Sequence, residues 1–269
     1  MKKYKFGRNR SCKQDTMGKV LFTYIKKVIK SDPYQQNNHY ICKEKKMIKT
    51  THTMNKEITL KEAVDKIQDG MTLMIGGFLA VGAPTQIVDA LVEKGVKDLT
   101  IICNDTAFPD KSLGKLIVNH QVKKLYVSHI GTNPETANQM NAGELEIEFC
   151  PQGTLAERIR AKGAGLGGVL TATGLGTIIA EGKEIITVDG KEYLLEKPLG
   201  ADVAIIGASI ADEMGNLIYK GTTQNFNPIM ATAADLVIAE VEELVKVGEI
   251  APERIHTSGV YVDYIYRKQ

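Results

Sequence analysis

The residues of this chain best placed to do chemistry are main-chain amides in a glycine-containing segment, residues 69–84. The four residues before Gly76 are apolar or β-favouring and too few for a helix, so they predict a buried strand that runs into Gly76 and Gly77. Gly82 follows, and Pro84 is expected in the first turn of a helix. Glycines between a strand and a helix let N–H groups approach a ligand closely. The alternative is a tight turn that binds nothing.

Polar residues follow two further predicted strands in the sequence. Asn104 and Asp105 follow a strand at residues 99–103, and Gln152 lies shortly after a strand at residues 145–149. The carboxyl ends of parallel strands meet at one edge of a sheet, where ligands bind in such folds. We therefore expect these residues and the glycine-containing segment to share one rim.

Other chemistry has weaker support. His120, His129 and His256 show no metal-ligand spacing, so the sequence predicts no metal site. A Cys150–His129 dyad is one possibility, although a buried thiol and a hydrogen-bonded histidine are the simpler interpretation. Nothing identifies a nucleophile within the chain.

Residues 163–168 match the dinucleotide pattern GxGxxG, but the context is wrong for that function. They follow a predicted helix that Thr154 is expected to cap, and extended residues come after them. With residues 173–177, they are expected to form a long flexible loop near the site.

The elements that must position these groups alternate along the chain. A capping box at Thr59 and Glu62 opens a helix, and further strands are predicted at residues 203–206 and 236–239. A hairpin is predicted around the turn Asp189-Gly190. This order predicts an α/β fold with an open, mostly parallel sheet and helices on both faces.

Charge divides the chain into two segments. Of its 34 Lys and Arg and 32 Asp and Glu, residues 1–53 hold 14 and 3, a net of +11, which leaves −9 for the rest. Residues 1–53 are expected to be a disordered basic extension outside the native fold, with the folded domain at residues 54–269. The four cysteines show no regular spacing, which favours free thiols in a reducing, cytoplasmic setting.

Residues 69–84 carry a specific pattern: Asp-Gly, two residues, three apolar residues, Gly-Gly-Phe, three residues, Gly, one residue, Pro. This pattern resembles the signature of the family I coenzyme A transferases. Further motifs follow in the same order, including residues 104–107, 130–135, 151–160 and 225–228. The chain is similar to the α subunit of a two-subunit acetate/acetoacetate-type enzyme, with mild departures at Ala80 and Ala172.

The resemblance implies an activity, its substrates and a partner. A glutamate in the β subunit, within Glu-Asn-Gly, would attack a short-chain acyl-CoA and form a glutamyl-CoA thioester. No Asn-Gly pair occurs in this chain, so we expect an α subunit that is inactive alone and works in an α₂β₂ assembly with no tightly bound cofactor.

The resemblance also implies site residues. Gln152 matches the glutamine that positions the substrate carboxylate. The residues expected to contact CoA or the oxyanion form what we call the glycine loop: Gly76, Gly77, Phe78, Leu79, Ala80, Val81 and Gly82.

Two alternatives belong to other classes of protein. One is a sugar-phosphate isomerase-like enzyme, which would need Asp105 as an in-chain base. The other is a non-catalytic α/β regulator whose basic arm binds nucleic acid. The transferase hypothesis itself expects neither nucleic acid nor a membrane as partner.

Overall fold

A computed structural model describes residues 56–269. The predicted basic extension, residues 1–53, lies outside the described residues. Within that range no helix has the length and apolar character needed to cross a membrane.

Eleven strands and six α-helices alternate through most of the described chain. The strands are β1 (Thr72–Ile75), β2 (Leu99–Asp105), β3 (Val122–His129), β4 (Glu146–Phe149), β5 (Val169–Thr171), β6 (Ile185–Val188), β7 (Lys191–Glu196), β8 (Ala201–Asp212), β9 (Leu217–Ile218), β10 (Ala234–Val245) and β11 (Tyr264–Arg267). The helices are α1 (Leu60–Asp65), α2 (Thr85–Lys94), α3 (Gly114–Val118), α4 (Pro134–Ala142), α5 (Gln152–Gly163) and α6 (Asn227–Met230).

Eight of these strands form the main sheet, in the order β11-β10-β8-β1-β2-β3-β4, with the short β9 beside β8. All neighbours along this path pair in parallel, and β9 alone is antiparallel. The order steps outward in both directions from β1, so connections leave β1 on opposite sides. The predicted mostly parallel sheet is confirmed.

Helices cover both faces of this sheet, and successive strand residues alternate between the two cores. Leu73 and Ile75 of β1 pack with α1, α2 and α3 in one cluster. Met74, between them, packs in a second cluster that includes Leu155 of α5 and Met230 of α6. Burial on both faces explains why the central strands are almost continuously apolar.

Several local predictions are confirmed. Thr59 and Glu62 form the reciprocal capping box of α1. Strands β6 and β7 form the predicted hairpin, and Asp189 and Gly190 both have positive φ, as a type I′ turn requires. Strand β5 adds to β7, so the hairpin belongs to a second, three-stranded antiparallel sheet.

Other local predictions were wrong. Helix α5 begins at Gln152 with Pro151 at its N-cap, so Thr154 lies inside the helix and its buried hydroxyl has no partner. Pro84 is likewise the N-cap of α2 instead of a residue of its first turn. The segment after β5 leads to a 3₁₀ helix, Ile178–Ala180, which lines a cavity with β4 and β7. That the segment lies near the site stays a prediction.

Candidate active site

The glycine loop leaves β1 and reverses in a tight two-residue turn. The Phe78 N–H donates to the Val81 carbonyl at 3.1 Å, and the Val81 N–H donates back at 2.9 Å. Between them Leu79 and Ala80 have φ values of +49° and +68°. Positive φ at both central positions is the type I′ geometry that glycine and asparagine favour. The loop therefore holds two ordinary L-residues in a strained conformation.

Most main-chain amides of this loop already have acceptors. The Gly76 N–H donates to the Ile205 carbonyl at 3.0 Å, and the Gly77 N–H to Asn225 Oδ1 at 3.2 Å. The Leu79 N–H donates to Asp105 Oδ2 at 2.9 Å. With Phe78 and Val81 bonded to each other, only two loop amides lack an acceptor among residues 56–269. These two are the amides of Ala80 and Gly82.

Two asparagines after β9 hold the far side of the loop. Asn225 donates from Nδ2 to the Val81 carbonyl, and Asn227 donates from Nδ2 to the Gly82 carbonyl, both at 3.0 Å. Asn227 also accepts the Gly207 N–H at 3.0 Å, which links the loop to β8. The approach is so close that a Cβ on Gly76 would lie 1.8 Å from Asn227 Oδ1. Two residues of the 225–228 motif thus hold the glycine loop.

The near side of the loop forms a cavity of 360 Å³ at the carboxyl ends of β2 and β3. This is the rim that the sequence predicted, and Gln152 lies in it beside Leu79. The lining residues are Phe78, Leu79, Asn104, Asp105, Ser128, His129, Thr132 and Gln152.

Gln152 combines a free amide with a helix terminus. It is the first residue of α5, and its side chain makes no hydrogen bond to any described residue. Pro151 provides no side-chain cap, so the first-turn amides of α5 remain available. The partial positive charge of this helix end favours an anionic group such as a carboxylate in the cavity.

Asp105 is buried at the floor of the same cavity. Its carboxylate accepts from Leu79 N–H, from Ala107 N–H at 2.8 Å and from Asn104 Nδ2 at 2.7 Å. Ser128 in turn donates to the Asn104 carbonyl at 2.6 Å. Both carboxylate oxygens are occupied by N–H donors, so the group is built to hold neighbours rather than to take a proton from a substrate.

Two further spaces adjoin the loop tip. One of 180 Å³ is lined by Gly82, Ser209 and Lys268, and Ala80 also lines it. Another of 360 Å³ lies between the tip and the segment before α3, and Leu79 lines both this space and the Gln152 cavity. Leu79 is the last loop residue that lines the Gln152 cavity, so the free amide of Ala80 lies one residue beyond it along the chain and that of Gly82 three residues beyond it.

Cys150 has other partners than His129. Its Sγ lies 3.0 Å from Arg158 Nη1, and the Arg158 guanidinium also bonds to Glu148 at 2.6 Å. Burial raises the pKa of the Cys150 thiol, although Arg158 opposes the shift. The structure supports the simpler interpretation of this cysteine as a buried thiol.

A larger cavity, of 660 Å³, lies between β4 and the second sheet. Four of the ionisable residues that line it form ion pairs: Arg158 with Glu148, and Lys183 with the buried Glu196, both at 2.6 Å. Such internal pairing satisfies these four charges without a ligand. Among the described residues no group of three or more His, Cys, Asp or Glu could hold a metal ion.

Comparison with known proteins identifies the family. The sequence model of the Coenzyme A transferase family matches residues 57–268. The acetoacetyl-CoA:acetate/butyrate CoA transferase alpha subunit of Clostridium acetobutylicum is 58% identical over 201 residues, 75% of this chain and 92% of that protein. The acetate CoA-transferase subunit alpha of Escherichia coli is 52% identical over 214 residues, 80% of this chain and 97% of that protein.

A solved structure shares the fold. The acyl-CoA transferase apoenzyme of Escherichia coli O157:H7 superposes with a TM-score of 0.71 at 23% identity. The match covers 79% of this chain and 46% of that one, so this chain spans less than half of it. These comparisons support neither the isomerase-like alternative nor the nucleic-acid-binding regulator. The chain belongs to the coenzyme A transferase family, and it is of the alpha-subunit type.

Proposed function

We propose that this chain is the α subunit of a transferase that moves CoA between a short-chain acyl-CoA and a free carboxylic acid. The acyl-CoA would be acetoacetyl-, butyryl- or acetyl-CoA, in keeping with the names of the alpha-subunit relatives. The observation that carries the proposal is the cavity in which the unpartnered Gln152 side chain lies beside Phe78 and Leu79 of the glycine loop.

In this proposal the nucleophile is a glutamate of a β subunit. Its carboxylate attacks the thioester carbonyl, CoA leaves as thiolate, and an acyl–glutamyl anhydride remains. The thiolate then attacks the glutamyl carbonyl, releases the first carboxylic acid and forms glutamyl-CoA. The second acid reverses both steps and leaves as the new thioester, so no oxidant, metal or bound cofactor is required.

The contribution of this chain is positioning and charge stabilisation. Gln152 and the uncapped end of α5 would hold the substrate carboxylate, since a neutral amide donates without removing nucleophilic charge. The free amides of Ala80 and Gly82 would face the thioester oxygen or CoA, where one lost donor costs about 3–4 kcal/mol of barrier.

The assembly and setting are part of the proposal. We place the transferase domain at residues 54–269, which the family match to residues 57–268 supports. The partner is a β subunit in an α₂β₂ complex. A cytoplasmic location is supported by Cys103 and Cys150, which are free thiols.

Reconstitution tests the function. The chain alone, the β subunit alone and the two together are assayed for CoA exchange between acetoacetyl-CoA and acetate. Exchange is expected only from the mixture. Exchange by the chain alone would overturn the shared-site proposal.

The Gln152→Ala variant tests the named residue in the same complex. We expect kcat to fall by roughly 100-fold, with the complex still assembled on size-exclusion chromatography. Gln68→Ala is the matched control, since Gln68 is exposed and bonds only within its own turn. An unchanged kcat would remove Gln152 from the site.

A further inference from the structure

Asp105 is a buried carboxyl group with no Lys or Arg partner among residues 56–269. Only 4% of its surface is exposed, and its three donors are the neutral N–H groups of Leu79, Ala107 and Asn104. A buried carboxylate is more costly than a neutral side chain unless its hydrogen bonds need the charge. At this position a carboxylate is needed because its two oxygens accept hydrogen bonds from different segments.

The two carboxylate oxygens serve different segments. Oδ2 accepts from Leu79 in the glycine loop, and Oδ1 accepts from Ala107 after β2. An asparagine has one acceptor oxygen and could serve only one of these amides. The carboxylate therefore ties the loop to the end of β2 in a way that its isosteric amide cannot.

Asp105 is also the only described side chain that hydrogen-bonds to the centre of the turn. Asn225 and Asn227 hold Gly77, Val81 and Gly82, which flank that centre. Leu79 and Ala80 adopt positive φ, which neither residue type favours. Without the Leu79–Asp105 bond, the turn would relax toward conformations that L-residues prefer, and the adjacent amides would turn with it.

We propose that Asp105 is a positioning residue for CoA transfer: through the Leu79 amide it holds the strained Leu79–Ala80 turn that aims the free N–H groups of Ala80 and Gly82. This inference rests on the proposed function of the glycine loop. It assigns Asp105 no contact with the substrate and no proton transfer.

The first experiment compares kcat and KM of Asp105→Asn in the reconstituted complex. A mispositioned turn is expected to lower kcat by about 100-fold with little change in KM. Asp235→Asn is the control, because Asp235 is exposed and has no described partner. A variant with wild-type kcat would overturn the proposal.

Rescue separates positioning from a general structural role. Glycine adopts positive φ freely, so Ala80→Gly should reduce the need for the Asp105 bond. We expect Ala80→Gly to raise kcat about tenfold more in the Asp105→Asn background than in the wild type. The same factor in both backgrounds would contradict the proposal.

Hydrogen exchange on the wild-type complex provides a test that needs no variant and no activity. The Leu79 amide is expected to exchange much more slowly than those of Ala80 and Gly82, which lack acceptors. Equal exchange rates for these three amides would contradict the positioning role of Asp105 even if CoA transfer is confirmed. Slow Leu79 exchange in a complex without transferase activity would instead fault the proposed function.

Discussion

Ala80 is the residue at which the strain of the glycine loop is most directly measurable. Its φ of +68° costs an L-residue about 1–2 kcal/mol. Glycine removes that strain but loses more entropy on folding, by roughly 0.5–1 kcal/mol. We predict that Ala80→Gly raises the free energy of unfolding by about 1 kcal/mol in urea titrations.

The matched control is Ala90→Gly in the middle of α2, where the same change should lower the free energy of unfolding by about 1 kcal/mol. The opposite signs distinguish backbone strain from a general effect of glycine. A loss of stability in Ala80→Gly would contradict the geometry of the turn.

The buried thiol of Cys150 provides a second prediction for a single residue. Burial raises the pKa of its thiol, and raises that of the fully buried Cys103 well above its ordinary value. A raised thiol pKa leaves less thiolate at neutral pH, so both residues should resist iodoacetamide in the native protein and react in urea. Peptide mass spectrometry measures this, and native labelling of Cys150 at the rate of a free thiol would revive the Cys150–His129 hypothesis.

At the scale of elements, the first prediction concerns the contact between α6 and the glycine loop. Asn227 is fully buried and bonds to the loop, to β8 and to the Thr223 carbonyl. Asn227→Ala leaves those groups unpaired, and we predict a loss of about 2–3 kcal/mol in the free energy of unfolding.

Asn138→Ala is the control for that prediction, because Asn138 is exposed and bonds only to Glu135 on its own helix. Its effect should stay within about 0.5 kcal/mol. Equal effects of the two variants would mean that Asn227 does not fasten the loop.

The start of α2 depends on another element for its cap. Pro84 offers no side-chain cap, and the buried Glu240 of β10 accepts the N–H groups of Gln86 and Ile87 instead. Burial raises the pKa of Glu240, although these amides oppose the shift. The folded state therefore binds this proton more tightly than the unfolded state does.

The resulting pH dependence has a definite sign. A raised folded-state pKa contributes stability that is complete below the unfolded pKa and is lost as pH rises through the folded value. Relative to Glu240→Gln, wild-type protein should lose stability as the pH rises from below the ordinary glutamate pKa of 4.5 toward neutral pH. Denaturant titrations across this range measure the difference, and a wild-type advantage that grows with pH would contradict the prediction.

Local elements were predictable where the signal lies within one segment. The capping box of α1 and the Asp189-Gly190 turn depend on neighbours in sequence, and the structure has both. The cap of α2 comes from Glu240, 154 residues away from Gln86, and no local pattern carries it. The Asn227–Gly82 hydrogen bond, which spans 145 residues, could not be predicted from the sequence for the same reason.

At the scale of the molecule, the position of the candidate site follows from the fold. Parallel strands end at one edge, so the glycine loop, Asp105 and Gln152 were expected to meet. Phe78 and Leu79 of the loop line one cavity with Asp105 and Gln152, whereas the other five loop residues do not. The sequence could not show which loop amides would stay free, because three of them, those of Gly76, Gly77 and Leu79, are satisfied by acceptors that only tertiary contacts bring near. That selection leaves Ala80 and Gly82 as the candidate donors.

The central claim is that the attacking carboxylate belongs to another polypeptide. The most direct measurement is mass spectrometry of the reconstituted complex, quenched after mixing with acyl-CoA alone and digested to locate covalently bound CoA. We predict a CoA thioester on a glutamate of the β subunit and unmodified carboxylates throughout this chain. CoA attached to any Asp or Glu of this chain would contradict it.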